Sequence, residues 1–270
     1  MIKKLKIAEL TSEEARQNLT ENSVILLPLG STEDQGTHAP MGDYLAAEQV
    51  TLDIALAARQ EGVPTFVAPV VPFGGRDGFV SSFGGVSIRS STLVALLNDM
   101  IGSLTLHGLN KILIINGHGG NVCPIDEVTL KLRQETNIFV CSMYLWQIAY
   151  AILKEIHGLE DAMKSSGHGA DPLTSVGFHY FPEILRPDLM RSPQKGLRTR
   201  GLDVTGFGQI TYDCVVFQAP VTAAETAPDG VWGGDPKYCS AKTGKELVDR
   251  LVRIGAGFIR DHVSKGFLDE

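Results

Sequence analysis

Three widely separated segments hold the residue types that bind metals and move protons. They are Glu33-Asp34-Gln35-Gly36-Thr37-His38-Ala39-Pro40-Met41-Gly42-Asp43, Asn116-Gly117-His118-Gly119-Gly120-Asn121, and Ser166-Gly167-His168-Gly169-Ala170-Asp171. Hard carboxylate oxygens gathered with imidazole nitrogens suit Zn, Mn or Fe(II). Nucleophilic catalysis has no candidate: there is no Gly-x-Ser-x-Gly elbow, and no cysteine stands next to a histidine. A phosphate cradle is a second reading of the glycines around His118, but no Lys-Ser/Thr pair follows them, which excludes a P-loop.

The elements that must position these residues read as alternating strands and helices. Val24–Leu29 and Lys111–Asn116 are continuous apolar runs, as expected of buried strands, and the first two segments follow them directly. In a parallel sheet both would open at the same edge, where α/β proteins build their sites. Further strands are expected over Thr65–Val71 and Ile138–Tyr144, with a brief one at Val86–Ile88. Helices are expected over Tyr44–Arg59, Ser91–His107, Ile125–Thr136, 146–163 and Lys242–Phe267, and a short helix after Thr11, with Thr11 as its cap. Residues 186–230 are richer in Gly and Pro and read as β-structure and loops. The alternation predicts an α/β fold with a mainly parallel sheet covered on both faces. With no internal repeat or linker, residues 1–270 read as one domain.

Each candidate also has a plainer reading. A tight turn would explain the glycines around His118, though not the histidine between them. Asp43 could cap the helix beginning near Tyr44, a role compatible with metal ligation on its other oxygen. His38 could simply hydrogen-bond within its loop, and His168 could be a surface histidine.

Composition narrows the function classes. Apolar content of 43% and charged content of 20% are ordinary for a globular enzyme. A net charge of −7 without a basic stripe argues against nucleic acid. No apolar run is long enough to span a bilayer. The opening Met-Ile-Lys-Lys-Leu-Lys resembles the start of a secretory leader, but Glu9, Ser12, Glu13 and Glu14 interrupt the apolar stretch that should follow. The four cysteines lack CxxC spacing and read as reduced core thiols, so a cytoplasmic protein is expected.

Taken in order, four motifs resemble the creatininase (creatinine amidohydrolase) family. Leu27-Pro-Leu-Gly-Ser-Thr-Glu33 with Gly36-x-His38-x-Pro40 resembles its opening metal motif. Asn116-Gly-His118-Gly-Gly-Asn121 is similar to its second, and His168-Gly-Ala-Asp171-Pro-Leu-Thr-Ser175 resembles its third. Gly230-Val-Trp-Gly-Gly-Asp-Pro236 followed by Ala241-Lys-x-Gly244 resembles its late signature. The resemblance implies a three-layer α/β/α fold, hydrolysis of a C–N bond in a cyclic amide or formamide, and a homo-oligomer, often a hexamer. It implies that Glu33, Asp43 and His118 hold a divalent ion, Zn or Mn with Fe also compatible, and that His168 shuttles a proton. One or two ions are expected, with Gln35, His38 or Asp171 as further donors and Glu33 or Asp171 as the proton acceptor. Arg76 and Trp232 are candidate pocket walls.

The chain departs from the family pattern in several places. Gln35 stands where a ligating histidine is usual, and Gly120 where creatininase has a glutamate. The spacing from Glu33 to Asp43 is one residue short. Asp171 and Leu173 replace two glutamates. These changes keep two other readings open: a hydrolase or lyase acting on a sugar-like cyclic ketone, and a ligand-binding relative without catalysis.

Overall fold

The computed structural model describes residues 2–75 and 82–267. A capping box at Thr11 starts helix α1 (Ser12–Asn18): the Thr11 hydroxyl accepts from Glu14 N–H, and Glu14 accepts from Thr11 N–H. Then follow β1 (Val24–Leu29), α2 (Asp43–Gln60), β2 (Thr65–Val67), α3 (Ser90–Thr105), β3 (Lys111–Asn116), α4 (Val122–Thr136), β4 (Cys141–Tyr144), α5 (Leu145–Ser165), β5 (Gly167–His168) and α6 (Leu173–Tyr180). A β-rich excursion comes next, with β6 (Arg198–Thr199), β7 (Leu202–Gly206), β8 (Gln209–Tyr212) and β9 (Val215–Gln218). The chain ends through α7 (Ala223–Thr226), β10 (Trp232–Gly233) and α8 (Ala241–Asp261).

The central sheet has the order β2-β1-β3-β4 and is parallel throughout. Side chains alternate across a strand, and here each set meets its own helical layer. Val24, Leu26, Leu113 and Ile115 face a core built from α2, α5, α6 and α8. Ile25, Leu27, Leu29, Ile112 and Ile114 face a second core built from α3 and α4. Burial on both faces is why these strands are apolar at nearly every position. The result is the three-layer α/β/α fold expected from the sequence. Strands β6 to β9 form a separate antiparallel sheet, and β5 pairs antiparallel with β10.

Several boundaries differ from expectation. The strand expected over Thr65–Val71 stops at Val67, and Val71 makes only an isolated bridge to Leu29. Pro69 has no N–H to give a ladder. Val86–Ile88 likewise supplies isolated bridges rather than a strand. All four cysteines are unpaired, but Cys123 and Cys214 are exposed rather than in the core. Among the described residues no helix is long and apolar enough to cross a membrane.

Candidate metal centre

The first ligand pair is made by a loop that doubles back. Glu33 N–H donates to the Met41 carbonyl at 2.8 Å, which draws Glu33 towards the start of α2 despite the shortened spacing. At the other side of the loop, Gly30 lets the chain pass against that helix. A Cβ at position 30 would lie 2.5 Å from Asp43 Oδ1 and collide with the backbone of Tyr44. Ser31 exploits this approach: its backbone N–H donates to Asp43 Oδ1 and its hydroxyl donates to Oδ2 at 3.0 Å. Asp43 is the first residue of α2, where the helix dipole favours an anion, while Gly42 takes the cap position.

His118 arrives from β3. The Asn116 side chain grips the loop, donating to the His118 carbonyl at 2.8 Å and accepting from His118 N–H at 3.0 Å. Asn121 donates to the Gly30 carbonyl at 3.1 Å and accepts from Gly75 N–H at 3.0 Å, and the Trp146 indole donates to the Gly117 carbonyl. This clamp aims the ring at the acids: His118 Nδ1 lies 3.2 Å from both Glu33 Oε1 and Asp43 Oδ2. All three side chains are buried.

His168 completes the group from β5, directly opposite Trp232 on β10. Its Nδ1 lies 2.9 Å from the Gly230 carbonyl, which can only accept, so that nitrogen carries a proton. Nε2 then points to Glu33 Oε1 at 3.4 Å. Phe207, at the tip of the β7–β8 hairpin, packs its ring 5.3 Å from that of His168 and 5.7 Å from that of Trp232.

The electrostatics follow from burying acids beside imidazoles. Burial pushes Glu33 upward, but His118 and His168 outweigh it and hold the carboxyl well below the usual carboxylate range. Asp43 goes the other way. Burial dominates, the neighbouring Glu33 charge adds to it, and Asp43 is pushed up to about 6 although His118 and Ser31 oppose the shift. Burial disfavours the charged His118 ring, yet the Glu33 and Asp43 charges prevail and raise it well above its ordinary value. His168 is raised as well: Glu33 and the Gly230 carbonyl overcome its burial.

These residues suit a divalent cation. One ligand atom from each of Glu33, Asp43 and His118 lies within 4.8 Å of the others, giving two hard oxygens and one imidazole nitrogen. Two buried carboxylates facing one imidazole nitrogen at 3.2 Å gather negative charge at this point.

Other sequence candidates fall outside this group. The Gln35 amide lies beside it but donates to Glu33 Oε1 at 2.8 Å, so it orients a ligand rather than acting as one. His38 braces its loop against α6, with Nε2 3.1 Å from Thr174 Oγ1. Asp171 is not brought to the acids. Its buried carboxyl lies beside Ser165, Ser175 and Cys239 and is raised by burial. Its backbone instead closes the turn carrying His168, donating to the Ser165 carbonyl at 2.8 Å and accepting from Gly167 N–H at 2.9 Å. Arg76 lies outside the described residues. Two site residues escaped the sequence reading. Tyr144 ends β4 beside Asn116 of β3, a strand-end position that could have signalled it. Phe207 comes from a hairpin with no motif of its own.

A family model for creatinine amidohydrolase, Creatininase, matches residues 8–259. The chain belongs to the creatininase family. The mycofactocin precursor peptide peptidase of Mycobacterium ulcerans is 30% identical over 252 residues, covering 91% of this chain and 88% of that one. The match to its Mycobacterium tuberculosis counterpart, 29% identical, covers 48% of this chain and 53% of the relative, about half its length. The 3-dehydro-scyllo-inosose hydrolase of Thermotoga maritima is 24% identical over 274 residues, covering 93% and 81%. The creatinine amidohydrolase of Pseudomonas putida is 26% identical over 203 residues, covering 70% and 76%. A solved creatininase structure described as the Mn form superposes with a TM-score of 0.74 at 23% identity, covering 96% of this chain and 98% of that one, which shows the fold. A mutant described as Zn-Zn type gives 0.73 at 23% identity, with the same coverage.

Within this family frame, Gly120 has a steric explanation. A Cβ there would lie 2.5 Å from His118 Nε2 and collide with the Gly75 carbonyl. The loop as folded has no room for a side chain at this position.

Proposed function

We propose that this protein is a metal-dependent hydrolase that cleaves a C–N bond in a small amide, with one divalent ion, Mn or Zn, held by Glu33, Asp43 and His118. The observation that carries the reading is the meeting of these side chains at 3.2 Å, with His168 Nε2 3.4 Å from Glu33. A divalent ion in such a site polarises a carbonyl and lowers the pKa of water from about 15.7 to about 7. The chain supplies the proton path. Glu33 stays ionised and can accept a proton from the attacking water, helped by the Gln35 amide that fixes its Oε1. His168 keeps its Nδ1 proton on the Gly230 carbonyl, so the proton it gains and gives up sits on Nε2, the atom facing Glu33. From there it reaches the leaving nitrogen. The water's OH ends on the acyl carbon and its proton on the amine, and such general acid–base help is worth roughly 10²–10⁴ in rate. Phe207 and Trp232 wall the space beside His168 and favour a flat or apolar substrate group.

A second reading, hydrolysis of a sugar-like cyclic ketone, draws on the Thermotoga relative's name and on the changed positions Gln35 and Gly120. One panel tests both. Purified protein is assayed for bound metal, then for turnover of cyclic amides, formamides, short peptides and inosose-type ketones, with His118→Ala as control. Amide or peptide turnover lost in His118→Ala supports the first reading, and ketone turnover alone supports the second. Absence of divalent metal together with unchanged turnover in His118→Ala sinks both.

A further inference from the structure

We infer that the Tyr144 hydroxyl is the hydrogen-bond donor that meets the substrate's carbonyl oxygen as charge builds on it. The inference rests on the metal-hydrolase reading above and adds to it a residue that none of the four motifs contains.

Two observations place the hydroxyl. Tyr144 is the last residue of β4 and sits opposite Asn116, the last residue of β3, so the parallel sheet delivers it to the edge from which His118 departs. The side chain reaches across to the second motif: a Cβ at Gly119 would lie 3.1 Å from Tyr144 Oη. Burial pushes the phenol upward, and Tyr150, Asp43 and Glu33 add to that shift, so the hydroxyl stays protonated.

Apart from His118 Nε2, which is buried without a partner, the other side-chain donors at this edge are committed. Both Ser31 donors go to Asp43. The Gln35 amide goes to Glu33, and those of Asn116 and Asn121 go to backbone carbonyls. The Trp146 indole goes to Gly117, and the Thr32 hydroxyl to Pro72. His168 Nδ1 holds Gly230. Tyr144 Oη makes no hydrogen bond to any described residue, yet it belongs to a side chain mostly sheltered from solvent. A phenol O–H so placed is free to donate. Donors aimed at a developing oxyanion are worth about 10²–10³ in kcat each. Tyr144 keeps its proton throughout; only the strength of its hydrogen bond changes.

The test uses acetohydroxamate, whose anionic oxygens mimic that charge, on the Mn²⁺-loaded protein. Tyr144→Phe keeps the ring and deletes the hydroxyl. Mn²⁺ affinity, measured by calorimetry, is expected to stay within about threefold of wild type, while acetohydroxamate affinity falls roughly 10- to 100-fold, the range for a hydrogen bond to a charged group. Equal acetohydroxamate affinity in the two Mn²⁺-loaded proteins overturns the assignment of Tyr144 and leaves the metal reading standing. Failure of the wild type to bind Mn²⁺, Zn²⁺ or Fe²⁺ overturns both. Should Tyr144→Phe not fold, 3-fluorotyrosine placed at position 144 decides the matter. Its ¹⁹F resonance must move when acetohydroxamate is added to the Mn²⁺ form, and an unmoved resonance refutes the inference.

Discussion

Asp43→Asn separates what this carboxylate does for the fold from what it does for the site. Asp43 is buried beside a second carboxylate. Burial first, then Glu33, moves its pKa from 3.8 to about 6. One unit corresponds to about 1.36 kcal/mol, so with the group ionised in both states the fold carries a penalty of roughly 3 kcal/mol. The sign follows from the direction of the shift. The folded value lies above the unfolded one, so the protonated group favours the fold below about 4, and that advantage is lost as the pH rises through about 6. An asparagine carries no charge at pH 8. Its oxygen can still accept from Ser31 N–H or from a protonated His118 Nδ1. It forfeits the charge-assisted part of those bonds, about 1 kcal/mol. Metal-free Asp43→Asn is therefore expected to be more stable than wild type at pH 8 by about 1–2 kcal/mol, a Tm rise of roughly 2–8 °C. Mn²⁺ affinity moves oppositely. Loss of an outer-shell partner typically gives a 10–100-fold drop, so loss of a ligand charge should give at least about 100-fold. Calorimetric unfolding after chelation and Mn²⁺ titration measure the two effects. A folded Asp43→Asn that is less stable than metal-free wild type would refute the buried-penalty reasoning. Unchanged Mn²⁺ affinity would remove Asp43 from the ligand set.

Two further predictions follow from the same group. His118 is raised above its ordinary 6.5 by the acids facing it, so its stabilising contribution is complete below that value and is lost as the pH rises through the folded one. Metal-free protein should lose thermal stability as the pH rises above about 6.5 while saturating Mn²⁺ flattens the curve; a flat metal-free curve would contradict the assignment. Gly120→Ala should push His118 off the acids, because its methyl meets Nε2 and the Gly75 carbonyl. An overpacking cost of about 1–3 kcal/mol is expected together with weaker Mn²⁺ binding, and wild-type affinity in this variant would show that the loop yields.

Where both faces of a strand are buried, the sequence announces it. Val24–Leu29 and Lys111–Asn116 match the observed strands residue for residue, because no position in them meets solvent except Lys111 at its start. The ligands follow from those strands: Glu33 and His118 lie just beyond their ends, and Asp43 opens the next helix. The motif places Asp171 near His168 in the chain, while the turn sends its carboxyl towards Ser165, Ser175 and Cys239. Of the two readings open for His38, the structure shows the plainer one, a histidine that braces its loop, here on Thr174. Tyr144 and Phe207 were not legible, because each depends on pairing between distant segments. Strand register brings Tyr144 beside Asn116, and a hairpin tip brings Phe207 over His168.

The departures in the opening loop act together on Glu33. Its Oε1 receives the Gln35 amide and faces both His118 and His168. A histidine at position 35 would offer a lone pair to a second cation, whereas the amide found there offers a proton to Glu33. A side chain at position 120 is excluded by the Gly75 carbonyl and His118. Neither position then offers a donor to a second ion, and neither disturbs Glu33, Asp43 and His118, which would hold the first. On the one-ion reading, Glu33 keeps its charge through neutral and imidazole donors instead of through a second cation. The substrate oxygen would then lack the help of a second ion, and a donor from the protein has to take that place. Tyr144 stands at the same strand edge with its hydroxyl uncommitted, so Gln35 and Gly120 in the two loops and the free phenol at the end of β4 fit one chemical arrangement.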